Sequence, residues 1–453
     1  MLSMNPATDE LIQAYEVQSD HQATVITNTA HTAYLNWRDV PISERAKLMQ
    51  RVVKLLRENS ATYGQLISNE MGKIFKEAEA EVKKCALVCD YYTQQAPVML
   101  ADEEVTTEAN HSFISYQPLG VVLAVMPWNF PFWQVFRFAA PALMAGNTCL
   151  LKHASNVCGC ALAIEQLFRD AGFPEDVFRS LLIASTQVEK VIAHPYVRAV
   201  TLTGSSEAGK AVASAAGAHL KKSVLELGGS DAYLILADAD LDVAVDACVK
   251  SRIINAGQSC IAAKRFIVVD EVYEAFLQRF TTRMQTLVMG NPMAEDSDIG
   301  PLASKKFRES LHAQVLSSIQ AGAECTLGGN IPEGKGSFYP PTILTHVKPG
   351  MPAYDEEMFG PVAAIIRVAD ENEAIAIANA SDFGLGGAVF TKDIKRGTDI
   401  ARNRIEAGSC YVNDFVKSDP RLPFGGIKAS GYGRELSRFG IREFVNIKTI
   451  VVK

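Results

Sequence analysis

The sequence predicts an α/β protein with two lobes, each built around a mostly parallel sheet. The first observation is a series of short apolar runs that begins at Val121 and alternates with helical stretches; the second is a similar series after Gly229. Such alternation is typical of parallel sheets that carry helices on both faces. The third observation is the length, because 453 residues exceed what one hydrophobic core organises.

The first hundred residues are predicted to be mostly helical. Within residues 44–58, Leu48, Val52, Leu55 and Leu56 form one apolar stripe with the period of a helix. After Val121, four runs are predicted to be strands of the first sheet: 121–126, 148–152, 177–183 and 199–203. Cofactors bind sheets of this kind beside the carboxyl ends of the strands, so a nucleotide site is expected there.

The series after Gly229 predicts a second sheet. Its strands are expected at 232–236, 266–269, 363–368, 388–390 and 409–412, with helices at 241–254 and 271–288 among them. The helix 241–254 leads into the loop that holds Cys260, and Glu226 is expected between the lobes, where a cleft forms. Residues 444–452 form a C-terminal strand with no later partner in the sequence, so its edge must be paired or covered.

The composition restricts partners and location. The net charge of -7 and the scattered Lys and Arg residues argue against a nucleic acid partner, because binding phosphates needs a clustered basic face. No apolar run is long enough to span a membrane, and the N-terminus lacks the features of a signal peptide, so we expect a cytoplasmic protein with no membrane partner. The nine cysteines are expected to be reduced thiols, and their spacing predicts no metal site.

A thiol and a carboxylate are the first candidates for catalysis. Cys260 ends the segment Asn255-Ala-Gly-Gln-Ser-Cys260, and Glu226 lies in Leu225-Glu-Leu-Gly-Gly229. A thiol nucleophile and a carboxylate base can together form and hydrolyse a thioester. A buried Cys is usually a small hydrophobe, so neither residue alone indicates catalysis. None of the eight His residues lies in a Cys-His protease context, which disfavours a papain-like hydrolase.

A glycine-rich segment indicates a nucleotide site. Gly204-Ser-Ser-Glu-Ala-Gly-Lys-Ala211 follows a predicted strand and nearly matches a P-loop. A P-loop needs Ser or Thr in place of Ala211 to bind magnesium, and no acidic partner for the metal follows on a later strand. Gly204 and Ser205 still open a helix after a strand, where backbone amides and the helix dipole suit a pyrophosphate. A P-loop nucleotide hydrolase stays open as an alternative from another class.

Four further segments accompany Cys260 and Glu226: Pro127-Trp-Asn-Phe-Pro131, Thr203-Gly-Ser-Ser206, Glu357-Met-Phe-Gly-Pro-Val362 and Pro423-Phe-Gly-Gly426. Their order resembles the aldehyde dehydrogenase superfamily nearly end to end, and the chain is most similar to the short bacterial succinate semialdehyde dehydrogenases. The resemblance implies a Rossmann-like cofactor domain (1–107 and 121–228), a catalytic domain (229–428) and a small β oligomerisation element (108–120 and 429–453). It also implies a homodimer or homotetramer in which the strand 444–452 joins a neighbour's sheet together with the segment 108–120; pairing of this strand within its own chain is the alternative.

The resemblance implies a reaction and roles for individual residues. An aldehyde, most simply succinate semialdehyde, is oxidised to the acid with NAD or NADP. Cys260 is the nucleophile, Glu226 is the base that releases the thioester, and Asn129 stabilises the oxyanion together with the Cys260 amide. The implied cofactor contacts are Trp128, Lys152, Ser155, Gly204, Ser205, Leu227, Glu357 and Phe359. The ordinary alternative makes Trp128 and Phe359 core aromatics.

Ser155 bears on the choice of cofactor. Many NAD-dependent members of the family carry Glu three residues after the lysine that corresponds to Lys152. A carboxylate there repels a 2′-phosphate, whereas a serine does not, so both NAD and NADP stay open. A second interpretation makes Ser155 the N-cap of the helix that follows.

The predicted helix at 132–143 carries the substrate candidates. Phe130, Trp133 and Arg137 fall at i, i+3 and i+7 and therefore share one face. Arg137 matches an arginine that binds the distal carboxylate in succinate semialdehyde dehydrogenases, and Ser418 is implied in the same site. A salt bridge at the surface or between subunits is the alternative for Arg137. Ile254 replaces a second arginine of some such enzymes, so a broad aliphatic or amino-aldehyde dehydrogenase stays open.

Overall fold

The computed structural model describes all 453 residues, from Met1 to Lys453. The strands are β1 (Leu2–Met4), β2 (Leu11–Ala14), β3 (Glu103–Glu104), β4 (His111–Pro118), β5 (Val121–Met126), β6 (Thr148–His153), β7 (Phe178–Ser180), β8 (Val197–Thr203), β9 (Lys222–Glu226), β10 (Asp231–Ile235), β11 (Ala263–Val269), β12 (Glu324–Leu327), β13 (Thr342–Thr345), β14 (Val362–Val368), β15 (Phe383–Gly384), β16 (Gly386–Phe390), β17 (Ser409–Val412), β18 (Ile427–Lys428), β19 (Gly431–Tyr432) and β20 (Val445–Val452). The helices are α1 (Asp20–Trp37), α2 (Ile42–Glu58), α3 (Ser60–Met71), α4 (Phe75–Met99), α5 (Trp133–Met144), α6 (Cys158–Asp170), α7 (Val188–Ala193), α8 (Ser206–Ala218), α9 (Leu241–Ile253), α10 (Asp270–Gln285), α11 (Lys305–Gln320), α12 (Pro352–Asp355), α13 (Glu371–Asn379), α14 (Ile394–Asn403) and α15 (Ser437–Glu443).

The first sheet has the order β19-β9-β8-β5-β6-β7 and is parallel from β9 to β7. The predicted strands at 121–126, 148–152 and 199–203 are confirmed as β5, β6 and β8, and the run at 177–183 contains the shorter β7. β5 and β6 are almost completely buried, as expected for apolar strands between two layers of helices. Parallel pairing places their carboxyl ends along one edge of the sheet.

The second sheet has the order β12-β13-β14-β11-β10-β16-β17, in which only β12 is antiparallel to its neighbour. The five predicted strands are confirmed as β10, β11, β14, β16 and β17, and the two predicted helices as α9 and α10. β12 and β13 lie outside the predicted set, because four residues each are too few for a period to emerge. The predicted α/β class is therefore confirmed in both lobes.

The N-terminal part is mostly helical, as predicted, although it begins with a small two-stranded sheet of β1 and β2. The predicted helix at 44–58 is confirmed as α2. α2 and α3 pack along α4, and α4 in turn packs against α5. Because α5 follows β5, this packing brings α4 next to the carboxyl edge of the first sheet.

The C-terminal strand β20 pairs antiparallel with β4 along its whole length, from Val445 opposite Pro118 to Val452 opposite His111. The strand is therefore paired within its own chain, and its other edge is the free edge of a three-stranded sheet. Ile447 and Val451 on this strand are 61% and 58% exposed. A free apolar edge of this kind is a surface for pairing with a second chain.

The predicted domain boundaries stay a prediction, but part of the C-terminal segment lies in the first lobe. β19 pairs with β9, and Phe424, Leu436 and Ile441 belong to the core of that lobe. These residues close the molecule around the end of β9, where Glu226 lies. No helix combines the length and the apolar composition that crossing a membrane requires.

Candidate active site

Four strand ends deliver the candidate residues to one edge of the first sheet. Glu226 ends β9, Gly204 follows β8, Asn129 follows β5, and Lys152 lies near the end of β6. These strands are neighbours in the order β9-β8-β5-β6. Ligands of open α/β sheets bind at this edge, so the predicted position of the site is consistent with the observed topology.

Two cavities meet at Cys260. The first, here called the glycine cleft, has a volume of about 260 Å³ and is lined by Trp128, Asn129, Gly204, Ser205, Leu227, Gly228, Glu357 and Phe359, among others. The second, here called the aromatic cavity, has a volume of about 80 Å³ and is lined by Lys84, Phe130, Trp133, Arg137, Phe415, Ser418 and Phe424, among others. Cys260 and Gln134 line both cavities. A ligand in each cavity would therefore reach the same thiol.

The loop before Cys260 has an unusual backbone. Asn255 and Ala256 have positive φ angles of 54° and 53°, and Gly257 continues with 75°. Residues other than glycine rarely adopt this conformation, which costs about 1–3 kcal/mol each and is found mostly at functional sites. A Cβ atom on Gly257 would also overlap the carbonyl of Gly360. The motif requires glycine at position 257 for both reasons.

Lys264 on β11 fixes the other side of the loop. Its Nζ donates to the backbone oxygens of Ser259 (2.8 Å) and Cys260 (2.6 Å). It also forms an ion pair with Glu357 at 3.2 Å, and the Lys264 side chain has no exposed surface. The buried ammonium therefore positions the nucleophile and ties it to the wall of the glycine cleft.

α4 supports the site with two carboxylates, of which Glu81 is buried and Glu77 is partly buried. Glu77 accepts a hydrogen bond from the backbone amide of Asn255 at 2.8 Å. Glu81 accepts from the amides of Phe132 (2.9 Å) and Trp133 (3.0 Å) and is paired with the buried Lys73. A carboxylate at a helix N-terminus satisfies amides that have no partner in the helix. α4 thus anchors both the Cys260 loop and the start of α5.

Asn129 lies beside the loop and is only 4% exposed. Its Nδ2 donates to the carbonyl of Gln258 at 2.9 Å, and its Oδ1 accepts from Gln134 at 3.1 Å. An amide nitrogen carries two hydrogens, so one N–H is still available. The backbone N–H of Cys260 also has no acceptor within the protein. These two donors can stabilise a negative oxygen next to the sulfur.

Burial disfavours the ionised form of the Cys260 thiol. Burial raises the pKa of the thiol to about 12, although the positive charges of Lys264 and Arg137 oppose the shift. The thiolate is the nucleophilic form of cysteine. A reaction at Cys260 therefore requires that its positive neighbours, or a change in its surroundings when a ligand binds, stabilise the thiolate.

Glu226 is 2% exposed, and neither of its carboxylate oxygens has a hydrogen bond within the protein. Burial raises the pKa of Glu226 well above the usual range, the nearby Glu435 raises it further, and Arg137 lowers it. Burial also raises the pKa of Glu435, which is paired with Arg137. A carboxyl with a raised pKa is a stronger base when ionised, so Glu226 suits the role of a general base.

The glycine cleft contains most of the predicted cofactor residues. Ser205 is the N-cap of α8 and accepts from the amide of Ala208, so the first-turn amides face the region after Gly204. The ring of Trp128 stacks on Phe307 with centroids 4.6 Å apart and meets Phe359 edge-on at 5.8 Å. Trp128 and Phe359 are partly exposed and line the cleft, and Trp128 also packs against the core of the first lobe.

The alternative of a P-loop is wrong. A P-loop requires a loop through residues 204–211, whereas α8 already begins at Ser206. Lys210 is therefore a helical residue, and it is exposed.

Lys152 and Ser155 lie at the end of β6, beyond the residues that line the glycine cleft. Burial lowers the pKa of Lys152, which has no ion pair. Ser155 is exposed, and the N-cap interpretation is wrong: Val157 occupies that position before α6. Glu70 instead accepts from the first amides of α6. The hydroxyl of Ser155 is free to meet a ligand.

The predicted substrate residues come together in the aromatic cavity. Phe130, Trp133, Arg137 and Ser418 all line it. The predicted helix face holds for Trp133 and Arg137, whereas Phe130 lies before α5, which begins at Trp133. However, Arg137 is 2% exposed and its guanidinium is already paired with Glu435. Arg137 therefore forms an ion pair, as the alternative predicted, but this pair lies in the interior of one chain and not at a surface. A contact between Arg137 and a substrate stays a prediction.

Several residues of the site escaped prediction. They are Glu77, Glu81, Lys84, Lys264, Phe307, Phe415 and Phe424. For α4 a signal does exist, because Glu77, Glu81 and Lys84 recur at i, i+4 and i+7 on a face that also carries apolar residues. Ionisable side chains on the apolar stripe of a helix indicate buried partners.

The aldehyde dehydrogenase family profile matches residues 1–450. A probable NADP(+) succinate-semialdehyde dehydrogenase of Synechocystis sp. is 50% identical over 448 residues, which cover 99% of this chain and 98% of that protein. An NAD(P)+ succinate semialdehyde dehydrogenase of Escherichia coli is 45% identical and covers 99% and 97% of the two chains. The structure of a succinic semialdehyde dehydrogenase of Streptococcus pyogenes with NADP+ has a TM-score of 0.97, 38% identity, and coverage of 100% and 99%.

Proposed function

The chain belongs to the aldehyde dehydrogenase family, and we propose that it oxidises succinate semialdehyde to succinate with NADP as the electron acceptor. The observation that carries this proposal is that the aromatic cavity and the glycine cleft meet at the thiol of Cys260. An aldehyde held in the first and a nicotinamide held in the second meet at one nucleophile. Relatives named succinate-semialdehyde dehydrogenases, at 50% and 44% identity, support the choice of substrate.

The reaction begins at Cys260. The thiol proton leaves to water, and the positive charges of Lys264 and Arg137 stabilise the thiolate. A sulfur lone pair forms the bond to the carbonyl carbon, and the carbon–oxygen π electrons move to the oxygen. The free N–H of Asn129 and the Cys260 amide stabilise this oxyanion, and donors of this kind are worth roughly 3 kcal/mol each.

The residues of the glycine cleft fit a dinucleotide. The backbone amides at the start of α8 suit its pyrophosphate. A Cβ atom on Gly228 would overlap the carboxylate of Glu357, so glycine at this position allows the two sides of the cleft to lie close together. When bound, the nicotinamide supplies a two-electron acceptor beside Cys260. Glu357 and Phe359 are proposed to orient it, and the loss of two electrons and a proton from the substrate leaves a thioester on Cys260.

Glu226 completes the cycle. Its ionised carboxylate is proposed to accept a proton from water, whose oxygen forms a bond to the thioester carbon while the carbon–sulfur bond breaks. The sulfur leaves with the bonding electrons as a thiolate, and the proton held by Glu226 passes to it, directly or through water. The products are the carboxylic acid, the thiol of Cys260 and the ionised Glu226. Because Glu226 has no hydrogen bond within the protein, its oxygens are free to bind that water.

Replacing Ser155 with Glu is expected to raise the KM for NADP far more than the KM for NAD. The new carboxylate would repel the 2′-phosphate of NADP. In the wild-type protein, Lys152 and Ser155 place no negative charge at this position. Steady-state kinetics with the two cofactors measures the effect, and Ser155→Ala serves as the uncharged control. Equal changes in both KM values would show that Ser155 does not face the ribose.

Replacing Arg137 with Ala is expected to shift the pH profile of kcat to higher pH for charged and uncharged aldehydes alike. Arg137 lowers the pKa of Glu226 and of Glu435, so its loss leaves Glu226 protonated over a wider pH range. Profiles with succinate semialdehyde and with butanal measure the shift. A loss confined to succinate semialdehyde would instead assign Arg137 to the substrate carboxylate, as predicted from the sequence.

A broad aldehyde dehydrogenase is the second candidate function. The observation that favours it is that the aromatic cavity is walled largely by apolar rings, while Arg137 is already neutralised by Glu435. Succinate semialdehyde, butanal and 4-aminobutanal, each tested with NADP and NAD, decide between the two. We expect the highest kcat/KM for succinate semialdehyde with NADP; equal values for butanal would favour the broad enzyme.

We further propose that the protein is a cytoplasmic homodimer or homotetramer. The free edge of β20 supports this proposal, because its exposed Ile447 and Val451 would be covered by a second chain. Light scattering on the purified protein gives the number of chains. A monomer at micromolar concentration would contradict the proposal.

A further inference from the structure

We propose that Lys84 is a specificity residue of the aromatic cavity, where its ammonium binds the distal carboxylate of a four-carbon semialdehyde. Lys84 has no role in the resemblance-based predictions, which placed Arg137 in this position. The inference rests on the proposed function, and it goes further by naming the group that separates an acidic aldehyde from a neutral one.

Lys84 enters the cavity from α4, the helix that also anchors the Cys260 loop. It lines the cavity together with Cys260. Its Nζ donates to the hydroxyl of Ser418 at 2.7 Å and lies 4.2 Å from the centre of the Trp133 ring. A hydroxyl and a ring face hold the ammonium in one place, yet neither neutralises it.

The other two cations of the cavity are already paired. Arg137 is bound by Glu435 and donates to Thr203 at 3.3 Å. Lys417 pairs with Asp414 at 2.6 Å, and its side chain is half exposed. Lys84 has no carboxylate within 4 Å, so among the cations of this cavity it is the one whose charge no carboxylate neutralises. A substrate carboxylate supplies the missing partner.

Burial of the Lys84 ammonium favours the binding of a carboxylate. An ammonium in a partly apolar cavity has lost water and gained no opposite charge, which is unfavourable. A carboxylate that binds there removes this penalty, and charge-assisted hydrogen bonds are the strong ones. An uncharged aldehyde of equal length obtains no such gain. The cavity therefore selects for a negative end group opposite the reacting carbon.

The pKa of Lys84 supports this view. Burial lowers it to about 8, and Arg137 lowers it further, while Cys85, Glu81 and Asp419 act in the opposite direction. The binding form of Lys84 is the ammonium. In the free enzyme this form is therefore lost as the pH rises through about 8. A bound carboxylate shifts the pKa back up and protects the charge.

The decisive variant is Lys84→Met, which keeps the length of the side chain and removes its charge. We expect the ratio of kcat/KM for succinate semialdehyde to that for butanal to fall about 10-fold to 100-fold, the range for a lost charge-assisted contact. Lys84→Arg should restore part of the ratio. The control is Lys83→Met on the exposed side of α4, where Lys83 pairs with Glu79; the ratio should not change.

The outcomes separate the inference from the proposed function. If wild type prefers succinate semialdehyde and Lys84→Met keeps the same ratio, the inference is wrong and the proposed function stands. If the wild-type protein shows no preference for succinate semialdehyde over butanal, the proposed function is wrong, whatever the result for Lys84→Met. Wild type also offers a test without mutation: the ratio should decline as the pH passes about 8, and a flat ratio between pH 7 and pH 9.5 would overturn the role of Lys84.

Discussion

Replacing Cys260 with Ala is expected to abolish aldehyde oxidation, with a loss of about 10⁴-fold or more in kcat/KM. No other nucleophile lines both the aromatic cavity and the glycine cleft. The measurement is the absorbance of NADPH formed from succinate semialdehyde. Cys325→Ala is the control, since Cys325 is partly exposed and lies on β12, away from both cavities. Turnover by Cys260→Ala near the wild-type rate would remove the thiol from the mechanism.

Replacing Glu226 with Gln is expected to stop the cycle after one turnover. The amide keeps the shape of the side chain but cannot take a proton from water, so the thioester accumulates. General base catalysis is worth about 10²-fold to 10⁴-fold, and steady-state kcat should fall by that amount. Stopped-flow absorbance should show about one equivalent of NADPH per Cys260 and then a plateau. Glu175→Gln, at an exposed position, is the control.

The pH dependence of this step follows from the raised pKa of Glu226. Only the ionised carboxylate accepts a proton, so the rate of thioester hydrolysis should rise with pH through a pKa well above that of an ordinary Glu. Single-turnover hydrolysis across the pH range measures it. A rate already at its maximum at pH 5 would show that Glu226 is not the base.

The sequence predicted the α/β class, most strands of both sheets and the residues that follow β5 and β8, but it did not predict β9, β12 or β13. β5, β6 and β8 are apolar runs in a chain with clear helical stretches between them, and the segments after them carry Asn129 and Gly204. The resemblance that rested on these segments is confirmed by the family profile over residues 1–450. Local patterns succeed here because a strand end and the loop after it are consecutive in the chain.

Partners that are distant in the chain were not predictable in this way. Arg137 and Glu435 are separated by almost three hundred residues, and no local period connects them. The resemblance grouped β20 with the segment of β4, but no local period shows that these two strands pair within one chain. Such contacts depend on how distant segments of the chain pack together, and the residue pattern of one helix or strand does not determine this packing.

α4 is a different case, because its pattern was visible but its usual meaning was misleading. Charged residues on a helix normally mark the face that is exposed to solvent. Glu77, Glu81 and Lys84 instead face the active site, where each carboxylate has backbone amides to accept from and Lys84 has Ser418. The face was buried by the Cys260 loop and α5, neither of which adjoins α4 in sequence.

In the proposed reaction, Cys260 carries the acyl group of a four-carbon acid during turnover. The most direct measurement is peptide mapping by mass spectrometry after Glu226→Gln reacts with succinate semialdehyde and NADP and is quenched in acid. We expect one added succinyl group, located on the peptide that contains Cys260 and absent when NADP is omitted. Formation of NADPH with no acyl group on Cys260, or with the group on another residue, would contradict it.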